Sequence, residues 1–176
     1  MTTLIALSGK QFSGKDSLCQ LLLDLLPDFR RVGLADALKA EYAAHKGLTV
    51  AEVEHRKATD PNTRGELIAW GQARRAEDPD YWVKQVLAQP GHKIVTDMRY
   101  RNEYERFRQE GAFLIRVEAD RAVRAQRGTL AYEADPSETE LDAITDWDWV
   151  AVNNSDLATL KAQLPQFLQR FSISVD

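Results

Sequence analysis

Apolar residues gather in five short runs along the chain: TLIAL (3–7), RRVGLA (30–35), KIVT (93–96), FLIRV (113–117) and WVAV (149–152). Each is rich in β-branched or aromatic residues, and a longer stretch of helical character follows it. Continuous apolar runs of this length suit strands buried on both faces, so the alternation predicts a parallel sheet covered by helices, an α/β fold. Three S/T-x-x-E patterns mark helix starts: Thr49 with Glu52, Thr63 with Glu66, and Ser137 with Glu140. After Asn154 and Ser155, the apolar positions Leu157, Leu160, Leu164, Phe167, Leu168 and Phe171 predict a last helix with one buried stripe. Residues 36–90 hold several helices and are far longer than a simple crossover needs. They are read as a substrate-binding subregion.

Composition narrows the class. With 176 residues, 44% hydrophobic and 28% charged, the chain is expected to form one folded domain, 1–176. A net charge of −4 excludes a general basic surface for wrapping nucleic acid, although local arginine clusters can still bind phosphate. The single cysteine, Cys19, lies among helix leucines, so it reads as core and suits a reducing, cytoplasmic setting. MTTLIALSG is too short and too poor in cations for a signal peptide, and no run reaches membrane-spanning length. His45, His55 and His92 form no metal-binding spacing. The expected partner is a small molecule, not nucleic acid or a membrane, with monomer or homodimer left open.

The first apolar run leads into SGKQFSGKDSL, which has the spacing of a phosphate-binding loop, G-x-x-x-x-G-K-[ST]. LIALS before Gly9 supplies the strand, and KDSLCQLLLDLL after Gly14 supplies the helix. Backbone N–H groups and the helix dipole would then face phosphate, with Lys15 on the β- and γ-phosphates and Lys10 as a second cation. A capped glycine turn without a ligand is the plainer reading, with Ser13 as the cap. Asp16 stands where a hydroxyl normally binds magnesium. A carboxylate is an equally hard donor, or it complements the helix N-terminus.

Asp97 closes the third strand at the edge where α/β sheets keep their ligand chemistry. Orienting magnesium, activating an acceptor and capping the next helix are all open to it. Arg99 follows two residues later. Arg64, Gly71 and Arg75 share one face of a helix over 64–77, where Gly71 leaves room for a ligand; pairing with Glu66 or Glu77 is the alternative. Arg121, Arg124 and Arg127 precede Gly128, as either a solvated basic face or the hinge of a closing lid. Trp82 is core or faces a substrate base.

These motifs resemble two families of phosphate-monoester kinases whose loop ends G-K-D. SGKQFSGKDSL, LADALK, RGELIAWG, DPDYWVK, VTDMRYRNEYE, PSETELD and VNNSDLATL resemble the phage and bacterial deoxynucleoside monophosphate kinases. The loop, WG then RR then DP, QRG and DWDWV resemble the animal-type phosphomevalonate kinases. The resemblance implies a three-layer nucleoside monophosphate kinase-like fold with a mainly parallel five-stranded sheet. It implies ATP and Mg²⁺ as cofactors, held by Gly9, Lys10, Gln11, Phe12, Ser13, Gly14, Lys15, Asp16, Ser17 and Asn154, with the metal near Asp16. Acceptor contacts fall to Lys39, Arg64, Arg75, Lys84 and Arg99. Catalysis falls to Lys15, Asp97, Arg99, Arg124 and Arg127, with a lid at about 121–136.

Gln11 and Tyr100 stand where the animal-type pattern carries basic residues. A nucleoside monophosphate is therefore the expected acceptor and phosphomevalonate the alternative. A nucleotide-dependent regulatory switch is the rival from another class, and it needs a residue that aims water.

Overall fold

The computed structural model describes residues 2–171. Five strands form one sheet: β1 (Leu4–Ser8), β2 (Phe29–Val32), β3 (His92–Met98), β4 (Phe113–Glu118) and β5 (Trp149–Val152). Their order is β2-β3-β1-β4-β5, with β1 parallel to β3 and β4, and β4 parallel to β5. The helices are α1 (Lys15–Leu25), α2 (Leu34–Lys46), α3 (Val50–Thr59), α4 (Pro61–Glu77) and α5 (Tyr81–Leu87). They continue with α6 (Arg101–Gln109), α7 (Arg121–Arg127), α8 (Pro136–Thr139), α9 (Leu157–Lys161) and α10 (Leu164–Arg170).

The chain divides into two compact units where one domain with a subregion at 36–90 was expected. One unit takes the residues up to Arg31 and those from Gly91 onward; the other is Val32–Pro90. In the first, every residue of β1 is buried, as expected for a central strand. Ile5 and Leu7 of β1 share a core cluster with Leu18 and Leu22 of α1 and Phe167 of α10. Trp149 stacks on Phe167 at 4.8 Å between ring centroids. Leu22 is fully buried, and trimming such a side chain to alanine costs about 2–5 kcal/mol. Burial also pushes the Cys19 thiol up to about 11, so it is core rather than a reactive group.

The second unit is helical. Tyr42, Val53 and Leu67 make its core, with Leu38 and Trp70 packed alongside. Trp82 is 1% exposed and donates its indole N–H to the Gly71 carbonyl at 3.2 Å, so it is core and does not face a substrate. A Cβ at Gly71 would crowd the tip of the Leu38 side chain at 2.6 Å, so this glycine lies in close contact with a neighbouring helix.

Several boundaries differ from expectation for identifiable reasons. The Thr49–Glu52 capping box forms in both directions. Thr63 and Ser137 do not cap, because Asp60 and Asp135, each followed by proline, cap three and two residues earlier. The second strand ends at Val32, and Leu34 opens α2. The last helix breaks into α9 and α10, with Pro165 at the start of α10; Leu157 is 55% exposed, outside the buried stripe. Helix α6 begins at Arg101, with Tyr100 at its N-cap position.

Candidate active site

Strand β1 delivers the chain into the loop Gly9–Gly14, and α1 leaves it. Gly14 has φ +101°, a conformation side chains avoid, and a Cβ there would strike the Asn153 amide. At Gly9 a Cβ would meet the Val117 carbonyl and the Ser13 hydroxyl. Both glycines are thus fixed by close approach. No side chain caps α1, so the N–H groups of its first turn, at Lys15, Asp16 and Ser17, have no acceptor within the helix. The combination is a cradle for an anion.

Lys15 lies in this cradle. Its ammonium donates to the Gly9 carbonyl at 2.7 Å and the Lys10 carbonyl at 2.9 Å. Burial lowers its pKa to about 7, Arg99 pushes the same way, and Glu138 and Asp16 oppose them. An arriving polyanion would favour the charged amine.

Segment 121–138 closes over the loop's flank. Arg124 is 6% exposed; it donates to the carbonyls of Ala119 at 3.2 Å and Gln11 at 3.3 Å. Arg127 donates to the carbonyls of Asn153 at 2.9 Å, Ser155 at 3.2 Å and Phe12 at 3.3 Å. Both arginines are therefore engaged with backbone, Arg124 buried and Arg127 from an exposed position. Gly128 has φ 175°, extended backbone open to any residue, so it is not a hinge of the left-handed kind. What requires glycine there is the Phe12 ring, which a Cβ would strike.

Gln11 was expected among the nucleotide contacts. Instead its side-chain amide pairs with Ala131, donating to the carbonyl at 2.6 Å and accepting the N–H at 3.2 Å. Its backbone N–H goes to Glu138 at 2.8 Å. Lys10 likewise turns from the loop to Asp142, at 2.6 Å. Asp142 also takes Arg116, at 2.8 Å, and Arg116 donates to the Ser8 hydroxyl at 3.2 Å. A cavity of about 360 Å³ beside the loop is lined by Lys10, Ser13, Arg116, Arg124, Asp142 and Trp147, among others.

Arg99 sits just past β3 and ion-pairs with Glu138. Two residues earlier, Asp97 lies where the β3–β1 register slips: Ala6 faces Val95, but Ser8 faces Met98. Such a bulge re-aims side chains at a strand end. Asn154 accepts the Asp120 N–H at 2.7 Å, whereas its neighbour Asn153 donates to the Ser13 carbonyl at 2.8 Å and so clamps the loop.

Asp16 is exposed on the first turn of α1. Among the described residues no group of three or more histidines, cysteines or carboxylates gathers to hold a metal. A carboxylate beside a phosphate cradle suits magnesium, which completes its shell with phosphate oxygens and water. The expected acceptor cations other than Arg99 belong to the helical unit. There Lys39 pairs with Glu54 at 2.5 Å, Lys84 pairs with Asp78 at 2.6 Å, Arg64 is exposed and Arg75 half-buried. Among the described residues no helix is long and apolar enough to cross a membrane.

Sequence reasoning missed Asn153, Arg116, Glu138 and Asp142. Asn153 had a signal, since it ends a strand at the sheet's ligand edge. Arg116 is hidden inside the apolar run FLIRV.

A family model described as phosphomevalonate kinase matches residues 7–113, more than half of the chain. Among solved structures, TT1252 from Thermus thermophilus is similar at 17% identity and a TM-score of 0.58, covering 98% of each chain. Shikimate kinase from Aquifex aeolicus matches at 15% identity and 0.55, covering 98% of this chain and 99% of that one. A gluconokinase from Sinorhizobium meliloti matches at 15% and 0.52, covering 97% and 95%. At these identities the likeness shows the fold, that of the P-loop kinases.

Proposed function

We propose that this chain, which belongs to the phosphomevalonate kinase family, transfers the γ-phosphoryl group of ATP to the phosphate of a phosphate monoester, giving a diphosphate and ADP. It is a kinase by family and by fold. The observation that carries the fuller reading is the loop: an uncapped helix start, two glycines fixed by contact, and a buried lysine held against two loop carbonyls.

The chain's own groups account for the chemistry. The first-turn N–H groups of α1 and Lys15 would bind the β- and γ-phosphates and neutralise charge on the leaving group. Arg99 would reach the transferring phosphoryl from the end of β3. Arg124 and Arg127 would reach it from α7 by exchanging backbone carbonyls for phosphate oxygens. Asp16 would hold magnesium, which neutralises phosphate charge when bound. An acceptor phosphate is already ionised, so positioning and charge matter more than a strong base.

The acceptor we favour is a nucleoside monophosphate. Gln11, spent on Ala131, and Tyr100 remove two cations that a small acid phosphate would use. The family match favours phosphomevalonate as the second reading. Coupled ADP release with a panel of nucleoside and deoxynucleoside monophosphates and phosphomevalonate separates them by kcat/KM. A clear preference for phosphomevalonate overturns the nucleotide reading.

A further inference from the structure

The Glu138 carboxylate is 4% exposed and faces the phosphate loop from α8. One oxygen accepts the Gln11 N–H at 2.8 Å, and the other accepts the Arg99 guanidinium. The same guanidinium reaches the Ser137 carbonyl at 3.3 Å and the Gly9 carbonyl at 3.4 Å. One buried side chain thus joins three pieces of chain: the loop after β1, the residue after β3, and the segment after α7. The carboxylate lies close enough to Lys15 to oppose the lowering of its pKa.

A negative charge here is costly for anion binding, because it repels the phosphates the loop is built to hold. It neither donates to phosphate nor lies in the hydrophobic core. Its two bonds hold a loop amide and an arginine in fixed relation. A guanidinium fixed by a buried carboxylate loses little freedom when the transferring group arrives.

We infer that Glu138 is a positioning residue for phosphoryl transfer: it fixes Arg99 and the Gln11 end of the phosphate loop in one geometry, at some expense to nucleotide affinity. The inference rests on the reading that ATP phosphates occupy the loop. It adds a residue outside the family-matched region and outside the expected site.

The sign of its effect on binding separates this role from a merely structural one. Glu138→Gln keeps the size and one acceptor but loses the charge and the second bond to Arg99 or Gln11. ATP dissociation constants by calorimetry and turnover by ADP release are to be measured for wild type, Glu138→Gln, Arg99→Ala and the double variant. At a pH well below the Lys15 midpoint of about 7, where the lysine is charged with or without Glu138, the expected result is an about tenfold to hundredfold fall in kcat for Glu138→Gln, with ATP bound as tightly or more tightly. Because Glu138 acts through Arg99, the double variant should turn over no more slowly than Arg99→Ala.

Weaker ATP binding in step with the fall in kcat, losses that multiply in the double variant, or unchanged kcat overturns the inference. Wild-type protein that releases ADP with none of the acceptors overturns the acceptor reading instead. The Glu138 ratios are then taken from ADP release without acceptor.

Discussion

The Asn153 side chain donates to the Ser13 carbonyl at 2.8 Å, linking the end of β5 to the phosphate loop across 140 positions of sequence. Asn153 is 7% exposed, and its own carbonyl takes the Arg127 guanidinium at 2.9 Å. One residue therefore holds both the loop and the last arginine of α7.

Removing that amide leaves the Ser13 carbonyl without its partner. Asn153→Ala is expected to cost about 1–3 kcal/mol of stability and to raise KM for ATP, since the loop loses its brace. Asn154→Ala, which touches Asp120 instead, should leave KM for ATP much closer to wild type. Thermal melts and initial rates on the two variants check the contrast.

The contact between Gly128 and the Phe12 ring gives a second prediction. Gly128→Ala brings a methyl carbon to 2.4 Å from the edge of that ring and should lower the melting temperature, through overpacking worth about 1–3 kcal/mol. Phe12→Ala removes the obstacle, so Gly128→Ala should cost less in that background than in wild type. Equal costs in both backgrounds would show that Phe12 is not what requires the glycine.

Lys15 sets the pH response. Its folded-state pKa is about 7 against an ordinary 10.5, so between these values the unfolded chain holds a proton that the folded chain lacks. This group's penalty is full below about 7 and fades as pH rises, so its contribution to stability increases with pH. Activity moves the other way. The free protein loses the Lys15 charge above about 7, and kcat/KM for ATP should fall by about tenfold per pH unit there. The limb in kcat should lie higher, because bound phosphate favours the charged amine. Paired pH profiles test this, and a kcat/KM that stays flat from about pH 7 to 9 would contradict the assignment of Lys15.

Five strands, the loop and the Thr49 cap could be read from the chain because each is a local pattern: a run of apolar residues, a glycine spacing, a hydroxyl three residues before a glutamate. The failures share a cause. Thr63 and Ser137 carry the same cap pattern, but Asp60-Pro61 and Asp135-Pro136 compete three and two residues earlier and win. Gly71 and Gly128 look like room for a ligand or a hinge, whereas their need for glycine comes from Leu38 and Phe12, which only folding brings near. Gln11 and Lys10 sit inside a phosphate motif, yet their side chains leave it for Ala131 and Asp142, more than a hundred positions away. Local chemistry is written in short spacing; partners chosen across the sheet are not.

Transfer of phosphate to phosphate is the central step, and phosphorus NMR of one reaction reads it directly. Protein, magnesium, ATP and the best acceptor of the panel are followed until ATP is consumed. New diphosphate resonances of the acceptor are expected to grow one for one with ADP, and neither product is expected with Lys15→Ala. Inorganic phosphate growing in their place, with the acceptor unchanged, would mean transfer to water and would contradict transfer to phosphate.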